Sequence, residues 1–208
     1  LSTLGKAAHT STPREGVNAI YKMAKVCSEL ERYAGQLMRR KNRLLAPPTI
    51  AIGTVKGGEK DNIIPDYCEA SVDRRLIPGE KPEEAESELV GLLESIRKKD
   101  KEFRYKLERY RLLQASETKP GAEIVNIFRR SIRKVTGREP KPIGFEATCE
   151  MTHLVNRGIP TVIFGAGRLS QAHKIDEHVE VEEIVAASKI YAQSIIDTLA
   201  KSQQMVAR

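Results

Sequence analysis

The chain reads as an α+β protein: a ferredoxin-like βαββαβ unit followed by an incomplete α/β segment. Three observations predict this. Over the first half, the apolar spacing switches between strand and helix periods in the order β-α-β-β-α-β. A hinge-like stretch from Ala115 to Gly121 then interrupts the pattern. Beyond it, the apolar run Ile159 to Phe164 leads into Gly165-Ala166-Gly167, as a buried strand of an α/β sheet leads into its turn. The two segments are therefore placed at residues 1–114 and 115–208.

The elements follow in order. Leu1 to Ala8 reads as a short strand. Val17, Ile20, Ala24, Cys27, Leu30, Ala34 and Leu37 keep helical spacing and predict one long amphipathic helix, which Pro47 and Pro48 end. Thr49 to Val55 is rich in β-formers, and Lys56-Gly57-Gly58-Glu59 is a turn. Ile63 to Leu76 is a second extended stretch. Pro82 suits the first position of a helix, and Glu83, Glu84 and Glu86 suit its positive end. Ala85, Leu89, Leu92, Leu93 and Ile96 form that helix's buried face. Phe103 to Leu112 alternates like a strand. In the second segment Ile124 to Val135 and Val181 to Leu199 read as helices. One convincing strand in some ninety residues leaves the second segment short of sheet.

Composition narrows the function classes. No run approaches the ~20 apolar residues of a membrane helix, and no signal peptide opens the chain. The three cysteines, Cys27, Cys68 and Cys149, form no CxxC pair, so reduced thiols in a cytoplasmic protein are expected. The net charge of +7 is diffuse, Trp is absent and aromatics are 5%, which argues against nucleic acid. The opening at Leu1, without Met, reads as the middle of something longer.

Few residues offer chemistry. Among the histidines His9, His153, His173 and His178 there is no HxH or HExxH spacing. Glu150-x-x-His153 stands alone, whereas a di-iron bundle needs two such motifs. His173 lies in a glycine-containing loop leaving a predicted strand, where α/β folds bind ligands, and Asp176 and Glu177 could orient its ring. His9, Asn62 and Arg75 read, on position alone, as strand-end and turn residues. No GxSxG elbow or phosphate loop is present.

Taken together and in order, four fragments resemble a known family. They are Gly5-Lys6-Ala7-Ala8-His9-Thr10-Ser11-x-Pro13, Gly57-Gly58 through Asn62-Ile63-Ile64-Pro65-Asp66, Asp73-x-Arg75-x-x-Pro78-Gly79-Glu80, and Ile159-Pro160-Thr161 through Gly165-x-Gly167, Ala172-His173 and Asp176-Glu177. The family is the zinc-dependent metallopeptidases that include acetylornithine deacetylase, succinyl-diaminopimelate desuccinylase and carboxypeptidase G. The resemblance runs to about Leu199. It implies that residues 1–114 are a lid and dimerisation domain and that the rest closes a catalytic domain.

The resemblance also implies residue roles. His173 would be a metal ligand. His9 would reach a partner subunit's site and stabilise the oxyanion of the tetrahedral intermediate. Asn62, Arg75 and the backbone of Gly165 and Gly167 would hold the substrate carboxylate. The family uses two ions, zinc or cobalt. Its other ligands and general base come from upstream segments with no counterpart here. The chain is therefore expected to be a C-terminal portion of an amidohydrolase acting on N-acyl amino acids or small peptides, to form a homodimer, and by itself to retain no zinc and hydrolyse nothing. Relatives often carry Asp-x-Arg where Glu150-Met151-Thr152 stands, so substrate specificity is open. The alternative is a non-catalytic homodimerisation module of the same ancestry. An RNA-binding domain shares the topology, but Ala70 to Arg75 lacks stacking aromatics.

Overall fold

A computed structural model describes residues 1–147 and 149–206. The chain divides into two compact units, Leu1–Ala115 and Ser116–Arg208.

The first unit contains β1 (Ser2–Leu4), β2 (Ala8–His9), α1 (Ala19–Leu37), β3 (Thr49–Gly57), β4 (Ile63–Ile64), β5 (Tyr67–Arg75), α2 (Pro82–Lys99) and β6 (Arg104–Lys106). Four strands form one antiparallel sheet in the order β3-β5-β1-β6. This is the ferredoxin-like order, and it leaves β3 at an edge. Along β5, Cys68 and Ala70 are buried while Tyr67, Glu69, Asp73 and Arg75 are exposed. That alternation places the helices on one face and leaves the other open. Met23, Val26, Leu30 and Leu37 of α1 and Leu93 and Ile96 of α2 meet Ile50, Cys68, Ala70 and Phe103 in one core.

Three expectations need correction. First, the opening strand is split. At Gly5 the chain leaves the main sheet so close to Val17 that a Cβ would sit 2.0 Å from the Val17 carbonyl oxygen. β2 then pairs with β4 in a separate two-stranded ribbon, Ala8 opposite Ile64 and His9 opposite Ile63. The stretch Ile63 to Leu76 breaks likewise, at Pro65-Asp66, into β4 and β5. Second, the buried apolar stripe of α1 is Ala19, Met23, Val26, Leu30, Tyr33 and Leu37, with Lys22 buried beside it, so Ile20 turns outward. Val17 lies outside the helix and exchanges backbone hydrogen bonds with Lys6. Tertiary anchoring sets this phase: Ala19 N–H donates to the Pro65 carbonyl at 2.8 Å, and Thr3 Oγ1 donates to the Ala19 carbonyl at 2.8 Å. Asn18 caps the helix by accepting from Tyr21 N–H. Third, β6 is three residues long rather than Phe103 to Leu112, because its partner β1 offers only Ser2, Thr3 and Leu4.

The second unit contains α3 (Glu123–Thr136), α4 (Met151–Val155) and α5 (Val181–Val206). Val125, Ile127 and Ser131 of α3 are buried, as are Ala187, Ile190 and Ser194 of α5. Phe128, Phe164 and Tyr191 form an aromatic cluster with centroids 5.3–6.0 Å apart. Asp197 accepts from Lys134 Nζ and Gln193 Nε2 at 2.7 and 2.8 Å. The run Ile159 to Phe164, expected as a strand covered on both faces, belongs to no ladder among the described residues. Ile159 and Ile163 are 51% and 44% exposed. An apolar run becomes a strand only beside partner strands, and the described residues of this unit supply none.

Candidate functional site

Two neighbourhoods carry the residues singled out above, one in each unit. In the first unit, the β2–β4 ribbon joins His9 and Asn62: Thr10 N–H donates to the Asn62 carbonyl at 3.1 Å, and His9 pairs with Ile63. The imidazole has a defined orientation. Ser11 N–H donates to His9 Nδ1 at 3.2 Å, and Ser11 Oγ lies 2.7 Å from the same nitrogen. In the tautomer whose Nδ1 accepts from Ser11 N–H, the ring proton sits on Nε2. An exposed Nε2–H is a hydrogen-bond donor for a developing oxyanion.

Arg75 lies elsewhere. It is the last residue of β5, opposite Thr49. At ~3.3 Å per residue, β5 carries it roughly 26 Å from Tyr67, at the far end of the strand from Asn62. Asp73 Oδ2 holds its Nε at 2.8 Å. The structure thus brings His9 to Asn62 and keeps Arg75 apart within one copy.

Behind Arg75 stands a group of charges of which only Glu80 belongs to a fragment quoted above, and there without a role. Arg40 Nη1 donates to Glu80 Oε1 at 2.5 Å and Arg40 Nη2 to Glu88 Oε1 at 2.6 Å. Arg74 Nη2 donates to Glu80 Oε1 at 2.8 Å. Tyr33 Oη donates to Glu88 Oε2. Burial alone would push the Glu80 carboxyl up; the Arg74 and Arg40 guanidinium groups and the Ile77 amide outweigh it and hold it below the usual carboxylate range. Glu88 follows the same balance, with Tyr33 and Arg40 as its donors. A signal was available in the alternation of β5: Arg74 is a charge on the strand's buried parity.

In the second unit, Gly165, Gly167 and His173 lie on the exposed loop that follows the apolar run. Gly167 N–H donates to Glu183 Oε2 at 2.8 Å. His173 adopts the left-handed backbone at φ 63°. Asp176 and Glu177 do not orient its ring as anticipated. Glu177 Oε2 instead accepts from the His173 backbone N–H at 2.8 Å, and the Asp176 carbonyl contacts His178 Nδ1 at 2.7 Å.

A structural zinc needs four ligands and a catalytic one three plus water. Among the described residues, no group of three or more His, Cys, Asp or Glu is placed to hold a metal ion. His173 is one donor, and these residues do not by themselves fit a resident metal. No described helix is long and apolar enough to cross a membrane.

Comparison with known proteins decides the ancestry of the first unit. Residues 1–101 match the family described as the M20 peptidase dimerisation domain. Residues 1–101 are an M20 peptidase dimerisation domain. The homologues of the chain are acetylornithine deacetylases and M20 peptidases. An acetylornithine deacetylase of Myxococcus xanthus is 27% identical over 194 residues, covering 92% of this chain and 50% of that protein. An uncharacterized metallohydrolase of Methanocaldococcus jannaschii is 27% identical over 208 residues, covering 90% and 48%. The chain thus spans about half the length of the curated relatives it matches. In fold it resembles an M20 family metallo-carboxypeptidase of Sulfolobus solfataricus (TM-score 0.69, 19% identity, 93% of this chain and 56% of that one). It also resembles an aminopeptidase of Bacillus cereus (TM-score 0.67, 23% identity, 93% and 49%). The matched residues include three strands of the four-stranded sheet and both its helices; β6 lies just beyond them.

Proposed function

We propose that these residues are the C-terminal portion of a metal-dependent amidohydrolase that cleaves N-acyl amino acids or small peptides as a homodimer. The observation that carries this reading is the paired His9–Asn62 corner, with Nε2–H presented outward and Arg75 held a strand's length away. An oxyanion donor and a carboxylate fork that cannot meet within one copy can meet across a two-fold axis. The unpaired edge of β3 and the exposed Ile20 and Tyr21 on α1 suit such an axis.

In this reading His9 Nε2–H stabilises the oxyanion in the partner subunit's site. Asn62, crossing to the partner's site together with His9, would join Arg75 and the Gly165 and Gly167 backbone of that site in holding the substrate carboxylate, with the Arg75 guanidinium suited to a bidentate contact. His173 would hold one of the two zinc or cobalt ions, and the metal would supply activated water. The remaining ligands and the base would come from residues outside this chain, and the setting would be the cytoplasm. The test is deacetylation of N-acetyl amino acids, with zinc or cobalt, by a polypeptide carrying the chain behind an upstream segment that completes the metal site. Replacing His9 by Ala should lower kcat by about 10²–10³. Undiminished kcat would refute the role of His9.

The second reading is a homodimerisation module without catalysis, supported by the match of residues 1–101 to a peptidase dimerisation domain. A completed polypeptide that dimerises but takes up no zinc would select it.

A further inference from the structure

We propose that Glu80 is the positioning residue for Arg75: it gathers Arg74 and Arg40 behind the end of β5 and so fixes the backbone from which Arg75 projects. This rests on the reading of Arg75 as a carboxylate-binding residue.

The need for such a device follows from the strand register. β1 pairs Ser2, Thr3 and Leu4 with Glu69, Cys68 and Tyr67. Leu1 extends that contact only to Ala70, whose N–H donates to the Leu1 carbonyl at 2.8 Å. From Ser71 onward, β5 has a strand neighbour on one side only, and that neighbour is the edge strand β3. A strand end held by one edge ladder frays readily.

The charge network occupies the unsupported end. Successive strand residues point to opposite faces, so Arg74 turns toward the helices and Arg75 toward the open face. The Arg74 side chain is 8% exposed. It donates one Nη to Glu80 and the other to the Arg75 carbonyl. Gly79, at φ 98°, lets the chain double back so that Glu80 meets the strand it has just left. Glu80 then binds three groups: Arg74, Arg40 from beyond the end of α1, and the Ile77 N–H at 3.2 Å. Arg40 continues to Glu88 on α2. The Arg75 carbonyl is thereby tied, through Arg74 and Glu80, to both helices.

The balance is tight. Two guanidinium groups face two carboxylates, and Arg74 Nε is already buried without a partner. Removing the charge of Glu80 leaves Arg74 buried and uncompensated. The strand end, lacking a second ladder, is the part that yields.

Nuclear magnetic resonance on the 208-residue chain tests this with Glu80→Gln and Glu80→Asp, following backbone amide exchange and the Arg75 Nε–Hε correlation. In Glu80→Gln, exchange at Val72 to Arg75 should rise tenfold or more, exchange at Cys68 to Ala70 should stay within twofold, and the Arg75 Nε–Hε signal should shift toward that of a free arginine. Glu80→Asp, which keeps the charge, should recover most of the difference. A folded Glu80→Gln with an unchanged Arg75 overturns the proposal. A uniform rise along all of β5 also overturns it, because that pattern marks general destabilisation. If Glu80→Gln does not fold, Arg40→Gln removes one of the two cations on Glu80 at a more exposed position; the same local pattern supports the proposal and an unchanged Arg75 overturns it. The carboxylate reading has a separate arm. N-acetylglycine titrated into the unmodified chain should shift the Arg75 Nε–Hε signal; no shift removes that reading while the effect of Glu80 on Arg75 stands.

Discussion

Replacing Asp100 by Asn should destabilise the first unit by about 2 kcal/mol at neutral pH, and that penalty should fade in acid. Asp100 ends α2 and accepts from Lys22 Nζ at 2.8 and 3.0 Å and from Lys25 Nζ at 2.7 Å. The Asp100 and Lys22 side chains are 13% and 10% exposed. Burial would raise the carboxyl, but the two ammonium groups and the Glu102 amide overcome it and hold it at about 2, against an ordinary 3.8. At about 1.4 kcal/mol per pH unit, that displacement is worth roughly 2 kcal/mol. The sign follows from the lowered folded value: the stabilisation is fully present above the unfolded pKa near 3.8 and is lost as pH falls through about 2. About half should be gone at pH ~3. Asn can still accept from Glu102 N–H, which bonds Oδ1 at 3.1 Å, so the substitution isolates the charge. The assay is urea unfolding of both proteins from pH 7 downward while each remains folded. A gap below about 0.5 kcal/mol at pH 7, the size expected of an ordinary surface substitution, or one that does not narrow between pH 4 and 3, would refute the reasoning.

Three further outcomes are expected. Zinc titrated against a chromogenic chelator should show no tight stoichiometric uptake by the chain, and a stoichiometric site would contradict the reading of His173 as a lone donor. Light scattering should find a dimer, and Val55→Lys on the exposed edge of β3 should shift it toward monomer; a monomer before substitution would count against the two-fold arrangement. Phe164→Ala should cost the second unit about 2–3 kcal/mol, because a partly buried ring loses both area and its two aromatic partners; calorimetry showing an unchanged unfolding temperature would argue that the Phe128–Phe164–Tyr191 cluster is not a core.

Helix α2 was legible because every signal in it agrees. Pro82 and the first-turn glutamates mark its start, and Ala85, Leu93 and Ile96 its buried face. The sheet order was legible through the alternation of elements. The phase of α1 was not, because Ala19 and Ile20 are both apolar and only contacts from Thr3 and Pro65 choose between them. The run 159–164 misled for a related reason: apolar character records a wish for burial, and strand pairing needs neighbours. At the site, spacing in sequence hid geometry. His9 and Asn62, 53 positions apart, share a ribbon, whereas Arg75, 13 beyond Asn62, stands at the other end of a strand.

The sheet order also sets the timing of assembly. Ser2–Leu4 is synthesised before the strands it pairs with, yet it lies between β5 and β6 in the finished sheet. Its first partner appears with Tyr67 and its second only with Arg104 to Lys106. At roughly 5–20 residues per second, the three residues of β1 wait about 5–20 s for their full hydrogen bonding. Among the strands of this sheet, β1 is thus the first to be made and among the last to be completed.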